Sequence, residues 1–494
     1  MRNERQRFSG LDRADMLFAA PWSGSEKLLL ALLCLLTVFF AVITPPFQAP
    51  DENQHYMKAL AVRQGDMLTE QRGPAIGTDL PRAALDIHRI DFPTDVPATS
   101  RLFRADQLRR SASADAGRAG SDFADFPNVA SYAPTLYLPG AIGLAAGKGL
   151  GLSSLGAFYA GRVVNALTGL VLLIAALQLL PFGRNAMLAT ALLPTFAYQT
   201  GSLSPDAVIN GLGFIGLALA LRVGFMGSAP ARLAGLLLTG PLLALCKGVY
   251  LPIMAAGLRW PTRRDPRQWL ILGAMALGAI AFVAWMHYSG GSQALYHIQS
   301  RKTGETMMTA PLRDQLATIL ASPLGYVHIL VTSVIERAPV YALQIVGRFG
   351  WNAILLPLLA YPLAALMLAA GVETGTGARF GLGQRAWWLA VALGVALLIE
   401  TAMYLTGTPL GADYIQGTQG RYFLPVLPLV LIALSPARAI AGAQRLFVWT
   451  AIPLSLIAAA TAFDSFWVHG FVTSDGMPPH GSVLRALLLP SPRW

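Results

Sequence analysis

The sequence predicts an all-α polytopic membrane protein, and three observations carry that prediction. Apolar runs recur along the chain at lengths that suit a hydrocarbon core about 30 Å thick, which takes roughly 20 helical residues. The composition is 54% hydrophobic and only 13% charged over 494 residues. The runs also lack the short alternation of barrel strands, so helices must satisfy the backbone that lipid leaves bare. The formal charge of +11 does not point to nucleic acid, because the unbalanced arginines sit in short hydrophilic breaks, as the positive-inside rule expects. Cys34 and Cys246 both lie in apolar runs and read as buried thiols, not as a disulfide or metal pair.

Taken in order, residues 1–27 form a basic arm with Arg2, Arg5, Arg7 and Arg13, more in keeping with a cytoplasmic lead into a span than with a cleaved signal peptide. The first span covers residues 28–44 and is followed at once by "PPFQAPDENQH". Residues 45–156 make a large extracytoplasmic loop whose basic and acidic residues nearly balance, which lets it translocate regardless of charge. Inside it, "RRSASADAGRAGSD" (109–122) has the composition of a flexible loop tip. Residues 130–151 are apolar but carry two prolines, many glycines and Lys148, which suits a helix at the membrane surface; a true span is the alternative.

Ten more spans are expected at 157–180, 186–202, 207–221, 233–246, 249–258, 268–287, 352–371, 386–405, 422–434 and 446–463, giving about eleven crossings within a transmembrane domain of residues 28–463. That count places Arg184, Arg232, Arg259, Arg263, Arg264, Arg267, Arg379, Arg385, Arg438 and Arg445 on the cytoplasmic side and the tail, 464–494, outside. It requires 233–258 to be split at "CKGVY" into two short crossings. Residues 310–351, with Arg313, Glu336, Arg337 and Arg348, suit an interfacial or re-entrant element better than a full span.

Polar groups gather on the outer side of this topology: Asp51, Glu52, His55, Tyr132, Tyr137, Asp206, Lys247, Gln419, Arg421 and Tyr422. Ionisable residues at membrane depth are costly and mark a functional cavity by default. Each also has a plainer reading. Asp51 and Glu52 suit a helix cap, although the proline-rich approach holds them against the first span. His55, four residues after Asp51, shares its helical face and would allow a divalent cation between them, or it is a hydrogen-bonded structural histidine. Lys247 either snorkels or serves as a phosphate-binding cation. Asp206 caps a helix or joins the cavity. Arg421, flanked by Gly417 and Gly420, suits a bidentate contact to a lipid phosphate. Arg162 lies about one turn into its span and is placed to pair with one of the acids. No Walker loop, Cys-x-x-Cys, His-Glu-x-x-His or Gly-x-Ser-x-Gly motif is present.

Five stretches in order, "PPFQAPDENQH", "NVASYAPTLYLPGAIG", "SLSPDAVIN", "KGVYLP" and "GTQGRYFLP", resemble the bacterial membrane proteins of domain-of-unknown-function family 2142, over residues 28–463. That family in turn resembles the GT-C glycosyltransferases, integral membrane enzymes that use polyprenyl-phosphate sugars, which for this chain implies the bacterial inner membrane. The resemblance matches Asp51 and Glu52 to the acidic motif of the first outer loop, and "APTLYLP", with Thr135 in place of a proline, to the surface segment. It matches Arg162 to the arginine that opens the next span. It implies a polyprenyl-phosphate sugar donor and a glycan, lipid or protein acceptor. Asp51 would be the general base with Glu52 in support. Arg421 and Lys247, by their chemistry, suit the developing phosphate charge. A polysaccharide polymerase or ligase is the first rival. A lipid-linked glycan flippase is the second, although no internal repeat supports it.

Overall fold

The computed structural model describes residues 21–73, 75–92, 105–113, 115, 118–227, 229–259, 265–302, 312–372, 380–436 and 440–468. Arg2, Arg5, Arg7, Arg13, Arg263, Arg264, Arg379 and Arg438, most of the arm and nearly all of the tail lie outside these residues. The chain is a polytopic helical membrane protein. The first helix, α1 (Gly24–Ile43), starts a turn earlier than expected, because Ser23 and Glu26 form a capping box at its N-terminus. After the loop 44–51 comes α2 (Glu52–Gln64).

The large loop is not purely helical. It holds a three-stranded antiparallel sheet, β1 (Glu70–Arg72), β2 (Ala75–Pro81) and β3 (Ser121–Asp125), in the order β1-β2-β3. Of the expected flexible tip, 109–113 end α3 (Ala105–Ser113) and 121–122 open β3, which pairs Phe123 with Asp79 and Ala124 with Thr78, while 114, 116 and 117 lie outside the described residues. Arg82 and Arg89 both bind Asp122 at the sheet edge, so charge pairing supplies order that small-residue composition hides. Helix α4 (Leu138–Gly149) has 12 residues, too few for a crossing. It lies on α5 (Ser154–Leu179), where Gly143 and Gly147 leave room for Ala157, Ala160 and Gly161.

The remaining elements are α6 (Arg184–Ala191), α7 (Pro194–Thr200), α8 (Asp206–Met226), α9 (Pro230–Lys247), a 3-10 helix (Gly248–Gly257), α10 (Pro266–Lys302), α11 (Leu312–Ala321), α12 (Pro323–Val346), the hairpin β4 (Arg348–Phe349) and β5 (Ile354–Leu355), α13 (Ala360–Val372), α14 (Leu382–Gly407), a 3-10 turn (Gly420–Phe423), α15 (Leu427–Leu434) and α16 (Ala443–Phe463). Among the described residues, eight helical stretches are long and apolar enough to cross a membrane. The expected count of eleven is not confirmed, because several expected spans form shorter pieces. Residues 184–200 are two short helices divided before Pro194, α13 has 13 residues and α15 has eight.

The stretch 230–257 does not run straight. Lys247 is extended (φ −161°), and the chain turns back on itself there. A Cβ on Gly216 of α8 would meet Thr239 and Leu243 from the outgoing limb and Met254 from the returning one. Ten residues of 3-10 helix rise about 20 Å, more than the same number in an α-helix. By length and composition α12 could also cross. Yet Tyr326 and Tyr341, about 22 Å apart along it, reach Thr401 and Glu400, neighbours on α14. Helix α12 therefore lies across α14 instead of alongside it.

Helix α8 is the hub, with 89% of its membrane-length window buried. Gly211, Gly213, Gly216 and Gly224 open it to Leu172, Pro425, the Lys247 hairpin and Gly257 respectively. The two ends of the bundle differ in charge. At one end Arg184 pairs with Glu26 (3.2 Å), Arg222 donates to the Leu179 carbonyl, Arg259 donates to that of Gly224 and Arg267 lies against Gly227. At the other end stand Asp51, Asp206, Lys247 and Arg421.

Candidate functional site

The site is built on the loop between α1 and α2. Glu52, the first residue of α2, is 0% exposed, as is Arg162 of α5. The two form a bidentate pair, Nε to Oε1 at 2.8 Å and Nη2 to Oε2 at 2.6 Å. The remaining Arg162 hydrogens go to the carbonyls of Ala41, Thr44 and Pro45. The amides of Phe47 and Leu203 donate to the same carboxylate at 3.0 and 2.8 Å. A buried ion pair is tolerable when its other valences are met, and here both partners are fully committed. Glu52 and Arg162 are thus anchors. Neither presents a free group to a substrate, and the pairing expected of Arg162 with one of the acids is formed, with Glu52.

A second loop clamps the first. The Trp351 amide and indole donate to the carbonyls of Gln48 and Phe47 (3.3 and 2.9 Å), and Tyr198 donates to Gln48 (2.8 Å). Phe47, Asp51, Trp351 and Asn352 all have φ near +60°. Left-handed backbone is uncommon for such residues, costs free energy and clusters at functional sites. At Asp51 it has a visible effect: the side chain makes no cap bond to α2 and turns away to Arg421.

Arg421 is the centre. It is 7% exposed, with Nη2 3.2 Å from Asp51 Oδ2, Nη1 3.3 Å from Asp206 Oδ2 and Nη1 3.2 Å from Gln199 Oε1. Its Nε has no hydrogen-bond partner among the described residues. Asp206 opens α8, yet its carboxylate faces Arg421. The Lys247 ammonium sits 4.0 Å from the Tyr422 ring, and Tyr250 fixes the Tyr422 carbonyl at 2.8 Å. Gln419 meets Asn352 at 3.4 Å. Six separated segments thus bring two carboxylates, two cations and three amides to one place. Asp51, with a side chain 33% exposed, is the more open acid.

The wall toward the sheet is neutral. His55 and Tyr137 share a hydrogen bond of 3.0 Å. Burial first, then the nearby Arg421 and Lys247 charges, hold His55 well below the usual imidazole range, so its ring is neutral at pH 7. Burial raises Tyr132 and Tyr137, which stay protonated. The structure thus gives His55 a tyrosine partner. Among the described residues no three His, Cys, Asp or Glu side chains could hold a metal ion.

Sequence reasoning missed Gln199 and Glu400. Gln199 is an amide within an apolar stretch, with nothing but its polarity to mark it. Glu400 is an acid inside an expected span, which was a usable signal. Beside the site, an apolar groove lies between α14 and α15, lined by Leu389, Ala392, Leu393, Phe423, Val426 and Val430. Phe423, which lines it, follows Tyr422 in the chain. No curated protein and no solved structure matches the chain. The family model described as "predicted membrane protein" matches residues 34–430, most of the length, and the chain belongs to that family, DUF2142.

Proposed function

We propose that the chain is a membrane glycosyltransferase of GT-C type. In this reading it takes a sugar from a polyprenyl-phosphate donor and passes it to a glycan, lipid or protein acceptor of the cell envelope. One observation carries the reading: an accessible carboxylate, Asp51, lies against a cation pair, Arg421 and Lys247, beside an apolar groove and at the bundle end opposite the arginine-rich one. By the positive-inside rule the arginine-rich end faces the cytoplasm. The site then opens on the outer face of the inner membrane.

The chemistry follows from the groups present. Asp51 accepts the proton of an acceptor hydroxyl as that oxygen attacks the anomeric carbon. The bond from that carbon to the phosphate oxygen breaks, and its electron pair leaves on the lipid phosphate. Arg421 and Lys247 stabilise the charge that develops there, in surroundings of low polarity where such contacts are strong. Glu52 and Arg162 act by holding the Asp51 loop in register, since an ångström of misplacement can cost about a hundredfold in rate. The groove beside Phe423 suits the prenyl chain.

The test is glycan transfer by the full chain in lipid nanodiscs, with polyprenyl-phosphate sugars as donors, together with the surface glycan of a deletion strain. Loss of a glycan substituent on deletion, restored by wild type and not by Asp51→Asn, is the expected result. An Asp51→Asn chain as active as wild type would reject Asp51 as the base.

A further inference from the structure

We infer that Glu400 is a positioning residue for Arg421, acting through Thr418. Glu400 lies on α14, a membrane-length helix, and is 1% exposed. A carboxyl group buried there is costly where a leucine would not be, so its presence asks for a reason. Its Oε2 accepts a hydrogen bond from the Thr418 hydroxyl at 2.8 Å. Its Oε1 meets no donor among the described residues, and the Tyr341 hydroxyl stands beside it without forming a well-shaped bond.

Thr418 opens the short run Thr418-Gln419-Gly420-Arg421. That run starts from Gly417 at φ +82° and is held at a second point, where the Gly420 amide donates to Gln344 Oε1 at 2.6 Å. A Cβ at Gly420 would come within 2.5 Å of the Tyr341 carbonyl oxygen, so glycine is needed for this approach. One side of the run is therefore fixed to α14 by Glu400 and the other to α12 by Gln344. From this run the Arg421 guanidinium reaches both Asp51 and Asp206. Released at Thr418, the segment can shift, and the cation loses its place between the two acids.

Two readouts test this, the second of which rests on the lipid-phosphate reading above. The first is hydrogen exchange of the full chain in nanodiscs. Glu400→Ala and Thr418→Val should each speed exchange of the amides over 417–423 by about fivefold to tenfold, the loss expected for one buried hydrogen bond. The amides of α2 should be unchanged, the double variant no worse than either single one, and Glu400→Gln, which keeps an acceptor, near wild type. The second readout is affinity for a labelled polyprenyl phosphate, which should fall by a similar factor in Glu400→Ala and Thr418→Val and hold in Glu400→Gln. Unchanged exchange at 417–423 in both weakened variants overturns the inference, as does a Glu400→Gln chain that exchanges like Glu400→Ala. If wild type fails to bind the lipid while exchange responds as stated, the lipid-phosphate reading falls and the positioning role stands.

Discussion

Asp51 and Glu52 are adjacent in the chain and opposite in environment: Glu52 is sealed against Arg162 at 0% exposure, while the Asp51 side chain is 33% exposed and faces Arg421. The left-handed backbone at Asp51 separates them. The two acids should therefore fail differently when substituted. Asp51→Asn should leave the melting temperature within a degree or two and lower transfer by about a hundredfold or more. Paired thermal melts and transfer assays would check this.

Glu52→Gln or Arg162→Ala should instead damage the fold. Removing one partner of a buried pair leaves the other uncompensated, at a cost of about 3–5 kcal/mol. Yield and melting temperature in detergent should both drop. Replacing both residues with apolar ones should cost less than the sum of the single changes. A Glu52→Gln chain as stable as wild type would contradict the anchor role.

Gly420→Ala should be harmful out of proportion to its size, because the new methyl collides with the Tyr341 carbonyl. Overpacking of this kind costs about 1–3 kcal/mol, and the displaced Arg421 should lower activity at least tenfold. Gly394→Ala on α14, where nothing lies within 4 Å of the added carbon, should be neutral or slightly stabilising. The two melts, run side by side, separate a close approach from ordinary helix propensity.

His55 provides a pH test. Its folded-state pKa is lowered, so between that value and 6.5 the unfolded chain binds a proton that the folded chain does not. Stability from this group is present above pH 6.5 and is lost as pH falls through the folded pKa. A melting-temperature series from pH 7.5 to 4.5 should show a steeper acid loss for wild type than for His55→Asn. Parallel curves would remove His55 as the cause.

The gathering of Asp51, Asp206, Lys247 and Arg421 was legible because charged groups are rare and costly in an apolar chain, so each one marks a place. The turn at Lys247 was legible for the same reason. Other features left no comparable trace. The strands β1 and β3, "EQR" and "SDFAD", are short and polar, and their order comes from pairs such as Arg82 with Asp122, distant in sequence. The division of labour between Asp51 and Glu52 depends on a backbone angle that neighbouring letters do not encode. Helix α12 is apolar enough for a span, and only its two tyrosine contacts reveal that it lies across its neighbour.

The doubled-back stretch from Pro230 to Gly257 bears on how the molecule is made. Its returning limb, of ten residues, is too short to be threaded through a bilayer by itself as an α-helix. Both limbs must enter together, and their resting place is the central helix α8, where Gly216 takes Leu243 and Met254 and Gly224 takes Gly257. The ammonium at the tip can reach the Tyr422 ring only when both limbs are seated, so the cation pair forms on correct insertion of the whole hairpin.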